Sequence, residues 1–408
     1  STGTRNTAIG PSALDVATTG NDNTAVGANA LGAATTSSAN TALGSYAGAA
    51  ITTGAGNVAV GYTALDAATT ADNNTAVGHG ALTANTTGAS NVAMGYGALA
   101  ACTTGGSNVA IGADALDSNT TSAGNTAVGR GALATTVTGT ANVAVGTNAL
   151  YTSNGAENNV AIGYGALQVD TSGTQCTAVG AYALDANTTA NYNVAVGASA
   201  LGAITTGAEA VAVGTNALIS ATGGSNVAVG HKAGEDVTTG TNNIFLGKET
   251  GRSGSPGGSI TTGSNEVVIG NNNITEAHIK VDWTVSSDER DKTDFTALDM
   301  GLNFINDLEP VTYRWDQRSD YGSDYAQVPD GTHKQAKLDV GFTAQAVETL
   351  EEQYGYKISD ETNLTTSLSE DGNQYGLKYS KFVPILVKAI QELSAKVEDL
   401  EKQLNNKE

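Results

Sequence analysis

The pattern of apolar and polar positions repeats every 17 residues through the first two thirds of the chain. Eleven of 13 equally spaced units read asparagine, threonine or valine, alanine, a longer apolar residue and glycine, and Cys176 and Ala210 replace the asparagine in the other two. The glycines are Gly10, Gly27, Gly44, Gly61, Gly78, Gly95, Gly112, Gly129, Gly146, Gly163, Gly180, Gly197 and Gly214. Less regular units end at Gly230, Gly247 and, after the insertion RSGSPGGSI, Gly270. Such a short fixed period indicates a solenoid, in which each unit packs mainly on its neighbours.

Each unit predicts one or two short strands, because runs such as NVAVG alternate with period two and a 17-residue unit is too short for a pair of helices. In this run, Val58 and Val60 are expected to fill a narrow interior and Ala59 to face outward, where its small side chain would allow another surface to approach. The following Ala64-Leu65 pair supplies a second apolar anchor. The remaining Thr, Asn, Gly and Asp residues predict turns.

Stacking of these units predicts a thin rod. Parallel strands lie about 4.8 Å apart, so about fifteen coils would form a rod on the order of 70 Å long. Equivalent asparagines such as Asn57, Asn74 and Asn91 should form a ladder of side-chain amides. Cys102 and Cys176 would be about 20 Å apart along this axis, too far for a disulfide.

A single coil has little interior, which favours side-by-side association that covers the outer alanine face and the exposed strand edges. The repeat N-[TV]-A-[VI]-G-x-x-A resembles the head repeats of trimeric autotransporter adhesins of the YadA type, over residues from about 6 to 270. That resemblance implies a left-handed parallel β-roll packed as a homotrimer, although the spacing here is longer than is usual in those heads. We therefore predict a mainly β fold with a parallel β-roll or β-solenoid shaft over residues 1–270.

The chain changes character after Gly270. Residues 287–408 carry 24 acidic and 13 basic side chains, against 16 and 6 in residues 1–286. The segment NNNITEAHIKVDWTV predicts one or two connecting strands within residues 271–286, which also contain the junction to the next domain. Residues 287–408 are predicted to form a separate α+β domain.

Four motifs in this second part occur in a fixed order: SDERDK, LEPVTYRW, VGFTAQAVE and YGLKYSKFVPILVKAIQEL. Together they closely resemble the intramolecular chaperone domain of endosialidase tailspikes, the peptidase S74 family, which also occurs in phage tail fibres. The resemblance implies that the domain trimerises, promotes folding of the preceding fibre and then cleaves itself away. The cleaved bond would lie between Ser286 and Ser287, with Ser287 and Lys292 as the catalytic residues.

The chemistry of this pair also follows from the residue types. A serine hydroxyl needs a base to take its proton, and lysine can be that base only where burial or neighbouring cations lower its pKa. Packing into a trimer could desolvate Lys292 and so couple cleavage to assembly. The alternative is that Ser287 is a helix N-cap followed by the acidic residues Asp288 and Glu289. A role for His333 in orienting the pair is a lesser possibility beside an ordinary loop histidine.

The C-terminal segment 383–404 has apolar residues at heptad spacing and predicts a coiled coil. The a positions are Val383, Ile390, Val397 and Leu404, and the d positions are Leu386, Leu393 and Leu400. Branched a residues with leucine at d favour a dimer when taken alone. The two resemblances favour a trimer, which we predict.

Composition and charge exclude several functions. The chain has 51 glycines, 5% aromatic residues and a net charge of -21, which argues against binding nucleic acid. No apolar run is long enough to span a membrane, and the first residues lack a signal-peptide core. The four histidines show no metal-ligand spacing, so no metal or cofactor is expected. A glycan-degrading activity would need two facing carboxylates, whereas Asp66, Asp114 and Asp117 are scattered in turns.

These patterns predict a trimeric phage tail fibre or tailspike-like protein, exposed on the virion, whose shaft adheres to a host surface receptor such as a glycan. Its enzyme activity would be a single intramolecular proteolysis. A bacterial surface trimeric adhesin with an uncleaved C-terminal trimerisation domain is the alternative. Tyrosines one or two residues after the repeat glycine would project in related positions and contact either a receptor or a neighbouring subunit: Tyr46, Tyr62, Tyr96, Tyr164 and Tyr182.

Overall fold

The computed structural model of the protein describes residues 2–280, 283–321 and 327–407. Contacts divide the chain into two units. The N-terminal unit comprises Ser1–Thr250 and Thr261–Ile269, and the C-terminal unit comprises Gly251–Ile260 and Gly270–Glu408. The insertion after the fifteenth strand is thus assigned to the C-terminal unit.

The N-terminal unit is a parallel β-solenoid with one sheet of 16 strands arranged in chain order. Each strand contains the three residues that precede the repeat glycine. Neighbouring strands pair without a shift, so that Ala59 lies opposite Ala76. The strands are β1 (Thr7–Ile9), β2 (Thr24–Val26), β3 (Thr41–Leu43), β4 (Val58–Val60), β5 (Thr75–Val77), β6 (Val92–Met94), β7 (Val109–Ile111), β8 (Thr126–Val128), β9 (Val143–Val145), β10 (Val160–Ile162), β11 (Thr177–Val179), β12 (Val194–Val196), β13 (Val211–Val213), β14 (Val227–Val229), β15 (Ile244–Leu246) and β16 (Val267–Ile269).

The faces of the strands are the reverse of the prediction. Ala59 is 1% exposed and points into the coil, whereas Val58 and Val60 are only partly buried on the outer face. The expectation that the branched pair fills the interior is therefore wrong. A 17-residue coil is too narrow for two branched side chains per strand once its leucine occupies the interior, and alanine fits the remaining space. The outer face consequently carries the larger apolar side chains.

The repeat glycine is required by the close stacking of the coils. Gly61 has φ +130°, and a Cβ atom there would lie 2.5 Å from the carbonyl oxygen of Gly78 in the next coil. No larger residue can fit at that distance, and side chains rarely adopt this backbone conformation.

The predicted apolar anchor after the glycine is confirmed. Leu65 is fully buried, and its N–H donates to the carbonyl of Ala81 at 2.9 Å. Its φ of 55° lies in the left-handed region, which costs an L-residue about 1–2 kcal/mol. Burial of the leucine side chain contributes about 1.5–3 kcal/mol and can offset that cost.

The predicted asparagine ladder is also confirmed. The Asn57 side-chain oxygen accepts from the N–H of Asn74 at 2.9 Å, and the Asn74 oxygen accepts from the N–H of Asn91 at 2.9 Å. Cys176 occupies one ladder position, where its N–H donates to the Asn159 side-chain oxygen at 2.8 Å. Cys102 lies at a different position of its coil, and both cysteines are buried and free, as expected from their separation.

Asp170 is a buried carboxylate at a position that other coils fill with asparagine. Its Oδ1 accepts from the N–H of Gly173 at 2.7 Å, as the Oδ1 of Asn85 accepts from Gly88 at 2.9 Å. Burial raises the pKa of Asp170 from 3.8 to about 7, and two backbone hydrogen bonds only partly oppose this.

We expect Asp170→Asn to stabilise the shaft at alkaline pH. Because the pKa of Asp170 is higher in the folded state, the unfolded chain loses this proton first and stability falls as pH rises from about 4 to about 7. The variant should therefore exceed the wild type by on the order of 3 kcal/mol near pH 8 and match it near pH 4. Thermal unfolding across pH measures this difference. The exposed Asp15→Asn is the control, and an equal effect of both substitutions would contradict the assignment.

The C-terminal unit is a small α+β structure that ends in a long helix, as predicted. Its elements are α1 (Leu302–Asp307), β17 (Val311–Tyr313), β18 (Asp339–Gly341), α2 (Ala344–Gln353), β19 (Thr366–Leu368), β20 (Tyr375–Leu377) and α3 (Phe382–Asn405). Strands β17 and β18 form one antiparallel pair, and β19 and β20 form another. The helices enclose a core of Met300, Phe304, Val347, Phe382 and Ile385.

The connecting segment differs from its prediction. Residues 271–280 and 283–286 form no strand, while Val281 and Asp282, which belong to the same predicted strands, lie outside the described residues. Ile279 and Trp283 are 54% and 75% exposed. Alternation alone does not make a strand where no neighbouring backbone is present to pair with it.

Glu351 fastens α2 to β19. Its buried carboxylate accepts four hydrogen bonds, from the N–H and hydroxyl groups of Thr365 and Thr366. The Thr365 N–H bond measures 2.6 Å. Such a buried carboxylate is tolerated because each of its two oxygens accepts two hydrogen bonds.

Glu351→Ala should destabilise the C-terminal unit by on the order of 3 kcal/mol, because it leaves four buried donors without their acceptor. The two tryptophans, Trp283 and Trp315, both lie in this unit, so their fluorescence during urea denaturation of the full chain reports on it. The exposed neighbour Glu352→Ala should leave the midpoint nearly unchanged. Equal midpoints for the two variants would show that the buried carboxylate is dispensable.

Candidate functional site

The structure brings together the two residues that were predicted to be catalytic. The Lys292 ammonium nitrogen lies 2.5 Å from the Ser287 hydroxyl oxygen and 3.2 Å from the Ser287 carbonyl oxygen. A one-turn 3-10 helix at Glu289–Asp291 reverses the chain between them. The separation of five residues is thereby converted into a direct contact.

Asp288 holds this turn. Its carboxylate accepts from the N–H of Arg290 at 3.0 Å and binds the Arg290 guanidinium, with the Nη2 to Oδ2 distance at 2.6 Å. The Arg290 guanidinium, together with this N–H, keeps the pKa of Asp288 below its usual value. The N–H of Lys292 closes the turn by donating to Glu289 at 3.1 Å.

The N-cap role considered as the alternative for Ser287 is filled instead by Asp288. The two roles considered for Ser287 are therefore not exclusive for this segment. The next residue caps the turn, and the Ser287 hydroxyl remains available to Lys292. The acidic residue directly after the serine was the sequence signal for this, since aspartate is among the strongest N-cap residues.

The pair is open to solvent in a single copy of the chain. Ser286, Ser287 and Lys292 are all exposed. A solvated ammonium donates a hydrogen bond to the hydroxyl, and a lysine acts as a base only where it is removed from water. The geometry of a serine and lysine pair is present, but a single copy does not supply the apolar surroundings.

The predicted coiled-coil positions of α3 are largely exposed. The a residues Val383 and Ile390 are 59% and 62% exposed, and the d residues Leu386, Leu393 and Leu400 are 44%, 50% and 64% exposed. The adjoining side of the helix packs on the core through Phe382 and Ile385. Helix α3 therefore presents an apolar seam that its own chain does not cover, and the coiled coil stays a prediction.

His333 lies in a separate cluster. Its ring packs edge-on against Tyr321 at a centroid distance of 4.6 Å, and its Nδ1 lies 3.2 Å from the Thr332 hydroxyl. The Tyr321 hydroxyl in turn contacts Asp316 and Asp330 at 2.9 and 3.0 Å. These contacts fit a loop histidine, and none of them reaches Ser287 or Lys292.

The tyrosine row of the shaft contains a histidine that the sequence analysis missed. The His79 ring stacks between Tyr62 and Tyr96, with centroid distances of 5.3 and 5.4 Å and interplanar angles of 16° and 5°. Tyr46 meets Tyr62 edge-on at 6.4 Å. The sequence contains a signal for this residue, because His79 directly follows its repeat glycine, as Tyr62 and Tyr96 do. A second pair, Tyr164 and Tyr182, lies farther along the shaft at 5.1 Å.

Two other kinds of site are absent from the described parts of the chain. No group of histidine, cysteine, aspartate or glutamate side chains there could hold a metal ion. No helix in the same residues is both long and apolar enough to cross a membrane.

Comparison with known proteins gives one match. Residues 287–356 match the family model of peptidase S74, described as the chaperone of endosialidase, and the match begins at Ser287 itself. No curated protein and no solved structure matches the chain significantly. The C-terminal part of this chain is therefore a chaperone-of-endosialidase domain, which follows a parallel β-solenoid of 17-residue coils.

Proposed function

We propose that the protein is a trimeric phage tail fibre or tailspike-like protein whose C-terminal domain assists trimer folding and then cleaves the chain between Ser286 and Ser287. The observation that carries the cleavage proposal is the 2.5 Å contact between the Ser287 hydroxyl and the Lys292 amine. A domain match that starts at the same serine supports it.

The proposed reaction uses only groups of this chain and water. Lys292, once neutral, takes the hydroxyl proton of Ser287, and the resulting oxygen attacks the carbonyl carbon of Ser286. The bond from that carbon to the Ser287 nitrogen breaks, and the nitrogen receives the proton, which leaves an ester between Ser286 and the Ser287 oxygen. Water then hydrolyses the ester to a Ser286 carboxylate and restores the Ser287 hydroxyl.

Assembly is the proposed trigger, because it would bury groups that a single copy leaves in water. The exposed seam of α3 is an apolar surface suited to neighbouring copies of the same helix. Packing of three domains would also bring apolar residues near the junction, such as Trp283 and Val285, out of water. Removal of Lys292 from solvent would then favour its neutral form and permit proton transfer.

The outer face of the solenoid sheet is the proposed contact between shafts. It carries at least one large apolar residue per coil, of which Met94, Ile111 and Ile162 are 42%, 38% and 39% exposed. Because the strands pair without a shift, these residues form a continuous apolar strip, which we propose is covered by other copies of the chain. This replaces the alanine face that the sequence had indicated.

Adhesion to a host surface is the proposed role of the finished shaft, with the protein exposed outside the cell on the virion. The aromatic row of Tyr46, Tyr62, His79 and Tyr96 is the surface that supports receptor binding. Stacking turns most ring faces toward each other, so a receptor would meet ring edges and hydroxyls along the row. Tyr96, at one end of the row, is 62% exposed, and we propose that its ring accepts a sugar.

The second candidate is a bacterial surface adhesin with a permanent trimerisation domain. The full exposure of Ser287 and Lys292 in a single copy favours it, because an exposed lysine is a poor base. The two candidates share the trimer and differ in whether the Ser286–Ser287 bond is broken.

Cleavage is tested by expressing the full chain with Ser287→Ala and Lys292→Ala variants. The wild type is expected to give a fragment that begins at Ser287, and both variants should remain intact because each lacks one partner in the proton transfer. Denaturing gels and intact mass measure this. Ser286→Ala is the neighbouring control and should still be cut. A wild type that is trimeric and uncut would favour the second candidate, in which the C-terminal domain is a permanent trimerisation domain.

The shaft interface is tested with Ile111→Asp, which places a charge on the apolar strip. Its mass in solution by light scattering is expected to shift from trimer toward smaller species, or its Tm to fall while the trimer persists, because a buried unpaired carboxylate is costly. Thr121→Asp, at an exposed turn, should leave both properties unchanged. If Ile111→Asp behaves as Thr121→Asp does, the strip is not the interface.

A further inference from the structure

The insertion that interrupts the repeat belongs, by its contacts, to the C-terminal unit. It comprises residues 252–260, within the assigned segment Gly251–Ile260. The N–H of Ser259 donates to the Asp371 carboxylate at 3.4 Å. Since Ser259 precedes the Ser286–Ser287 bond and Asp371 follows it, this contact joins the two sides of the proposed cut without depending on the intact chain.

The backbone at Gly258 packs tightly against the turn that contains Asp371. A Cβ atom on Gly258 would lie 2.9 Å from the Cβ of Ser369 and 3.0 Å from the Oδ1 of Asp371. By contrast, Gly257 has a similar φ, +85° against +75°, and nothing lies within 4 Å of where its Cβ would be. The backbone at Gly258 thus approaches the C-terminal domain closely, while its neighbour faces open space.

The turn that Gly258 and Ser259 contact is held in shape by its own hydrogen bonds. It connects β19 to β20 and is closed by the bond from the Ser369 N–H to Gln374 at 2.8 Å. The Asp371 carboxylate accepts from the Ser369 hydroxyl at 2.5 Å and from the N–H of Asn373 at 3.0 Å. Partial burial alone would raise the pKa of Asp371, but these donors together with Ser259 hold it below its usual value. A preformed acceptor loses little freedom on binding.

Two more contacts span the cut. The Gln317 side-chain amide donates to the carbonyl of Asn272 at 2.7 Å. The Lys337 ammonium lies 4.0 Å from the Glu276 carboxylate, an exposed pair that contributes little by itself. The contacts therefore come from three separate places before the cut and three after it.

We propose that the insertion is a docking element which keeps the C-terminal domain bound to the shaft after the bond between Ser286 and Ser287 is broken. The partner is the chain's own cleavage product, and the inference rests on the proposed function for the cut itself. The domain would then leave in two separable steps, hydrolysis first and undocking later. The β19–β20 turn is the surface from which the shaft must be released.

The test uses the full chain and compares Gly258→Ala with Gly257→Ala. Both substitutions place a side chain at a positive φ, but only the first collides with Ser369 and Asp371. After cleavage is verified on a denaturing gel, native size-exclusion chromatography and dilution experiments measure the rate at which fragment 287–408 separates. We expect the wild type and Gly257→Ala fragments to elute together, and Gly258→Ala to separate about tenfold faster or more, as loss of a charge-assisted hydrogen bond implies.

Failure of docking and failure of self-cleavage give different results. If the wild type is uncut, a protease recognition sequence placed between Ser286 and Ser287 in the Ser287→Ala background supplies the cut, and the same glycine comparison is made. Asp371→Asn, which keeps the shape of the turn and removes the charge, should also speed separation. Immediate separation of the wild-type fragments, or equal rates for the two glycine variants, would overturn the docking proposal.

Discussion

The spacing between hydrogen-bonded coils is the constraint on which the shaft depends. Neighbouring coils approach so closely at the repeat glycine that a carbonyl oxygen occupies the space a Cβ would need. The same spacing lets the asparagine side chains bridge successive coils, and the interior of most coils holds one leucine and small residues. What the interior excludes must then lie outside, so the valines, isoleucines and leucines of the strands form an external apolar strip.

The C-terminal unit shows a related imbalance. Its core is closed by Phe304, Val347 and Phe382, and Glu351 secures the hairpin to α2. Yet the heptad residues of α3 remain in water. In both units the local structure is complete while a large apolar surface is left uncovered, and the proposed trimer would cover that surface. Lys292 is likewise exposed to solvent, and the same proposed assembly would bury it.

Periodicity predicted the shaft well because each strand, glycine and asparagine recurs under the same geometric demand. The direction in which the strand side chains point was not predictable from alternation, since a period of two is unchanged when the two faces are exchanged. Ala59 points inward and Val60 outward because the interior volume of the coil is limited and Leu65 already occupies part of it. In the connecting segment, Ile279 and Trp283 alternate as a strand would, but pairing requires a neighbouring backbone that the local pattern does not encode.

At the junction, the motif identified Ser287 and Lys292, and the structure supplied the turn that joins them. The sequence shows that Asp288 is a residue type that often caps helices. That it caps the turn between Ser287 and Lys292 depends on the backbone path, which the structure supplies. The contacts of Asp371 with Ser259 lay beyond sequence reasoning altogether, because 112 residues separate them and no repeat or motif relates the two positions.

The unshifted register of the sheet also makes the length of the shaft adjustable in discrete steps. Each strand presents the same edge to the next, so a unit can be duplicated or deleted by recombination between near-identical repeats without altering either end of the rod. The unit between Gly214 and Gly230 has one residue fewer than its neighbours, yet Ala212 still pairs directly with Ala228. The length of the shaft could therefore evolve in increments of about 4.8 Å, independently of the C-terminal domain.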